Sequence, residues 1–104
     1  MPNSRFAQGF KMYVFSASAI ATKDFDDLKA GDKALFIVYI NFKDLFGAET
    51  LCKVLTMREG FKDVEIEKRQ WLTPEKVQDE RIQAADKGLR EALQTGFAIQ
   101  MFSE

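Results

Sequence analysis

The first strongly apolar segment, Phe10 to Ala17, is rich in aromatic and β-branched residues and reads as a strand. A polar connection follows from Thr22 to Asp32, where Thr22 or Asp24 is placed to cap one helical turn and Gly31 to end it. Ala34 to Phe42 reads as the second strand. Its stretch Leu35-Phe36-Ile37-Val38-Tyr39-Ile40 has no polar alternation, so both faces need cover and the strand belongs inside the sheet. Asp44 to Glu59 then reads as a helix closed by Gly60. At 100° per residue, Leu45, Ala48, Leu51, Cys52 and Leu55 share its core stripe. Phe46, Val54 and Met57 form a second apolar group on another side, more than a helix covering one sheet requires.

Lys62 to Leu72 reads as the third strand, with Val64 and Ile66 on one side and Asp63, Glu65, Glu67 and Arg69 on the other. Strict alternation puts Trp71 on the polar side. The second helix has the clearest start, with Thr73 as N-cap, Pro74 at the first helical position and Glu75 near the positive end of the dipole. Leu72 and Val77 are spaced as a hydrophobic staple, although Lys76 leaves the capping box incomplete. The stripe Ile82, Ala85, Leu89, Ala92 and Leu93 carries one helix on to Gly96. Phe97 to Phe102 is the last strand, with Phe97, Ile99 and Met101 alternating against Ala98, Gln100 and Phe102.

These elements predict one α+β domain over residues 1–104, in the order β-β-α-β-α-β, with residues 1–9 as a loosely held tail. Helical crossovers make strands two, three and four mutually parallel and strand one antiparallel. The expected architecture is a two-layer sandwich, with two main helices on one face of a mixed four-stranded sheet. A true helix within 22–32 would make it three-layered instead.

Composition narrows the chemistry. There is no histidine, which removes the commonest metal ligand and the side chain that titrates near neutrality, and with them Ser-His and Cys-His nucleophile pairs. One cysteine, Cys52, excludes an internal disulfide and a multi-cysteine metal site. A net charge of −1 with no basic run disfavours a nucleic-acid surface. No stretch approaches a membrane-spanning length, and Lys11 interrupts the early apolar segment that a leader peptide needs, so a cytoplasmic protein is expected. Ten phenylalanines exceed what a domain this small buries comfortably, so some should meet a partner.

Candidate sites are few. Asp24, Asp26, Asp27 and Asp32 fail the calcium-loop spacing and read as a solvated turn. Cys52 falls on the core stripe and reads as a small buried hydrophobe. Glu65 and Glu67 share a side but look water-facing. Tyr13, Tyr39, Asn41 and Trp71 are the candidates for a small-molecule pocket, Trp71 foremost, because aromatics with a polar handle favour pockets and interfaces; for Tyr13 and Tyr39 ordinary core packing is the stronger reading. No catalytic residue, metal or cofactor is assigned.

The passage Met57-Arg58-Glu59-Gly60-Phe61-Lys62-Asp63-Val64-Glu65-Ile66 resembles the helix–Gly–Phe–strand junction of ferredoxin-like domains, in particular the dimeric α+β barrel superfamily. That superfamily includes cofactor-free monooxygenases and the effector domains of Lrp/AsnC regulators. The resemblance implies a ferredoxin-like sandwich and dimeric association, and it carries no catalytic residue across. The chain departs from the family's usual order because no long helix separates its first two strands. The leading expectation is a non-enzymatic homodimer joined through Phe46, Val54 and Met57 or an open sheet face, with a small ligand at the seam. Alternatives are a cofactor-independent enzyme acting on a small apolar substrate and an adaptor for one specific protein.

Overall fold

The computed structural model describes residues 9–102. The tail expected over residues 1–9 therefore lies, apart from Gly9, outside the described residues. Four strands, β1 (Lys11–Ala21), β2 (Lys33–Phe42), β3 (Phe61–Leu72) and β4 (Phe97–Phe102), form one sheet in the order β3-β1-β2-β4. Between them lie α1 (Leu45–Arg58), α2 (Pro74–Gln78), α3 (Glu80–Ala85) and α4 (Lys87–Thr95).

The α+β class fits, but the ferredoxin-like arrangement does not. Every neighbouring pair of strands is antiparallel, so the sheet is not mixed. Crossover helices alone predicted parallel neighbours, yet β1 lies between β2 and β3 and pairs with both. β2 and β3 thus run the same way without touching. β2 is an interior strand, as its unbroken apolar run requires.

The two-layer expectation also fails, because the helices divide between the faces. On one face, Ala48 and Cys52 of α1 pack over Phe15, Ala17, Phe36, Val38 and Ile40. On the other, Val77, Leu89 and Ala92 pack over Met12, Tyr39 and Ala98. The third layer does not come from 22–32, which holds no helix. Asp24 accepts the Ala30 N–H (2.9 Å) and Asp32 the Lys29 N–H (3.0 Å), so two of the clustered aspartates hold this turn together.

Two local signals explain the remaining differences. The single second helix breaks at Asp79 and Asp86, each serving as an N-cap. Asp79 accepts from the Arg81 N–H and Asp86 from the Leu89 N–H, an alternative that short acidic side chains offer the backbone within a helical pattern. Thr73 is the N-cap of α2 but makes no side-chain cap bond, while Leu72 and Val77 meet in the same apolar cluster. In β3, Ser16 pairs with Lys68 and Ala17 with Ile66, so Glu67 is skipped. This bulge reverses the alternation and turns Arg69 and Trp71 towards the α1 face. Trp71 therefore does not lie on the polar side.

α1 matches its expected span closely. Asp44 caps it by accepting the Gly47 N–H (2.6 Å), and Gly60 follows at φ 104°. Its buried line is Ala48, Cys52 and Thr56, while Leu45 is half exposed. The Thr56 hydroxyl donates to the Cys52 carbonyl (2.7 Å), which lets a polar residue take a core position.

Candidate functional site

The sheet separates the four candidate ligand residues into two pairs. Tyr13 and Trp71 are direct cross-strand partners on the α1 face. Tyr39 and Asn41 belong to the opposite face, where Asn41 stands across from Met12. No single pocket contains all four.

The Tyr13–Trp71 pair builds an open groove. The Trp71 indole, about half exposed, lines a cavity of about 240 Å³ with Lys11, Tyr13 and Leu45. A separate, smaller space of about 110 Å³ shares Lys11 and Trp71 with it but is otherwise bounded by Phe10 and by Met12, Leu72 and Val77 of the other face. Tyr13 is buried at the floor, and that burial, with the charge of Asp44 as a lesser cause, raises its pKa. The four lining residues offer the groove mostly apolar surface, with Lys11, Tyr13 and the Trp71 indole N–H as its polar groups, so it suits a flat apolar group and offers little for bond chemistry.

Tyr39 has a structural task instead. Its ring presses on the backbone at Gly88, where any Cβ would collide with it. Its hydroxyl donates to Asp86 Oδ2 (3.0 Å), while Asp86 Oδ1 caps α4. Burial first, then the hydrogen bond and charge of Asp86, push the Tyr39 pKa up to about 12. Asn41 is buried, and neither its Oδ1 nor its Nδ2 has a hydrogen-bond partner. Such orphaned amides are rare, because each costs its desolvation free energy.

A concavity of about 810 Å³, open to solvent, lies between α3, α4 and β4, lined by Asp79, Arg81, Ile82, Asp86, Lys87 and Gln100. Its carboxylates are already committed to capping helices and binding Tyr39. Glu65 and Glu67 are exposed. Cys52 is fully buried, and burial pushes its thiol up to about 12 despite the opposing charge of Lys53, which removes the thiolate that nucleophilic chemistry needs. Among the described residues, no group of three or more metal-ligating side chains is gathered, and no helix is long and apolar enough to cross a membrane.

Phe46, Val54 and Met57 are exposed at 82%, 40% and 50% on the outside of α1. Residues that periodicity alone did not single out stand on β4, where Phe97, Met101 and Phe102 are 41%, 45% and 49% exposed. The signal was legible as Phe-Ala-Ile-Gln-Met-Phe, a strand without a single charge. Comparison with protein-family models, curated proteins and solved structures found no match.

Proposed function

We propose that this protein is a non-enzymatic association domain that works as a homodimer, in a regulatory or effector-type role. The observation that carries the reading is the apolar surface of the protomer, most concentrated on the outside of α1 and along β4. Covering such surface is favourable by roughly 25 cal/mol per Å² before the costs of association are subtracted. The polar groups that catalysis would recruit are otherwise engaged: Tyr39 and Asp86 in packing α4, Cys52 in the core. Sedimentation velocity across the micromolar range tests the proposal. A concentration-dependent dimer supports it and a strict monomer overturns it, whereas a monomer that co-purifies from its native cell with a different chain favours the adaptor reading.

The Trp71 groove favours one addition, a small apolar ligand carried by the dimer. Trp71 is the only tryptophan, so its fluorescence reports directly on occupancy. Titration with hydrophobic probes that leaves the emission unchanged dismisses this addition without touching the first proposal.

A further inference from the structure

The open edge of β4 has the geometry of half a strand pair. The Asn41 N–H donates to the Gly96 carbonyl (2.9 Å), which fixes the phase of the β2–β4 ladder. In an antiparallel pair the bonded residues alternate, so Ala98, Gln100 and Phe102 bond inward to β2. Phe97, Ile99 and Met101 then turn their N–H and C=O groups away from the sheet. The Thr95 hydroxyl lies 2.9 Å from both the Glu91 and the Phe97 carbonyl oxygens and donates to one or shares its hydrogen between them, in keeping with an outward Phe97 carbonyl.

Sheets usually guard such an edge with charge, proline or bulges. β3, at the other end, has two irregularities and carries Lys62, Asp63, Glu65, Glu67, Lys68 and Arg69. β4 has none of these devices, and its large side chains stand partly in solvent.

Building on the homodimer reading, we infer that β4 is where the two copies join, pairing antiparallel with β4 of a second copy about a two-fold axis through Ile99, to make one continuous eight-stranded sheet. The occupant is argued from self-complementarity. Centred on Ile99, each outward N–H of Phe97, Ile99 and Met101 meets an outward C=O of the twin. The same register sets Phe97 opposite the twin's Met101, which places two half-exposed apolar side chains against each other on the α1 face. Ala98 falls opposite the twin's Gln100 on the other face.

A charge exchange reads this register. In F97K/M101K the lysine introduced at position 97 faces the one introduced at position 101 of the twin. The dissociation constant is then expected to rise by about 100-fold or more, since like charges directly opposite are destabilising. In F97K/M101E the same positions are of opposite sign, and affinity is expected to return to within about tenfold of the unaltered protein. Far-UV circular dichroism and the unfolding midpoint establish that both variants are folded. If the unaltered protein dimerises and F97K/M101K, folded, dimerises equally well, the β4 assignment is overturned while the homodimer reading stands. If both variants are folded monomers, the Ile99-centred register is overturned. If either variant fails to fold, the single substitution M101K, opposite a wild-type Phe97, is compared with E67K on β3, and equal affinity for the two overturns the assignment. An unaltered protein that is monomeric overturns both proposals together.

Discussion

At one end of the sheet β3 is bulged and lined with charge, and Arg69 reaches back from it to pair with Glu49 of α1. At the other end β4 is short, regular and uncharged, and it runs straight on from α4 through Gly96. The two edges share one fold but carry opposite surface chemistry. β3 is made unfit for pairing by local sequence, whereas β4 is left fit for it and depends on α4 for its position. The difference teaches that the chain's excess of apolar residues is not spread evenly, and that one edge of the sheet is protected while the other is offered.

The contrast breaks most severely when the support of β4 is removed. Leu89 is fully buried in the cluster that holds Ala98, and Leu89→Ala is expected to cost about 3 kcal/mol in urea unfolding, with dimerisation weakened in parallel. A loss of stability with the dimer unchanged would separate β4 from α4.

A smaller effect is expected for Tyr39→Phe, which keeps the ring over Gly88 and removes the hydrogen bond to Asp86. The expected loss is about 1–2 kcal/mol at neutral pH. The alkaline limb should change as well. Because the folded state holds the Tyr39 proton until about pH 12 against an ordinary value of 10, this stabilisation is complete below pH 10 and is lost between pH 10 and 12. The variant should lose that decline and keep those from Cys52, which runs from its ordinary 9 up to about 12, and from Tyr13, whose pKa burial also raises. Unfolding midpoints measured from pH 8 to 12 check the sign.

The smallest effect belongs to the protected edge. Arg69→Gln removes an ion pair that stands in water, where screening and side-chain entropy consume most of the attraction. Its unfolding midpoint and dimer affinity should match those of the unaltered protein. A marked loss in either would make β3 part of the interface.

Strand and helix positions were largely legible, because long apolar runs and a strong capping signal are local properties. β4 spans Phe97–Phe102 as its alternation predicts, and α1 differs from expectation by one residue at each end. What could not be read was partnership. Nothing in β1 announces that it pairs with both β2 and β3, since its two partners lie far along the chain. The bulge at Glu67 is one skipped residue within a clean alternation, yet it reverses the side to which Trp71 points. Asp79 and Asp86 look like ordinary polar positions of an amphipathic helix, and only their capping bonds reveal the breaks. Which of the four candidate ligand residues share a face could not be read for the same reason: Tyr13 and Trp71 lie across the sheet from Tyr39 and Asn41 because face assignment depends on register.

Amide hydrogen exchange along β4, at a concentration where the protein sediments as a dimer, tests the central claim most directly. Pairing predicts slow exchange at Phe97, Ile99 and Met101 as well as at the inward-bonded Ala98, Gln100 and Phe102, with the first three becoming fast on dilution. Fast exchange at Ile99 and Met101 in the sedimenting dimer, beside slow exchange at Ala98 and Gln100, would contradict it.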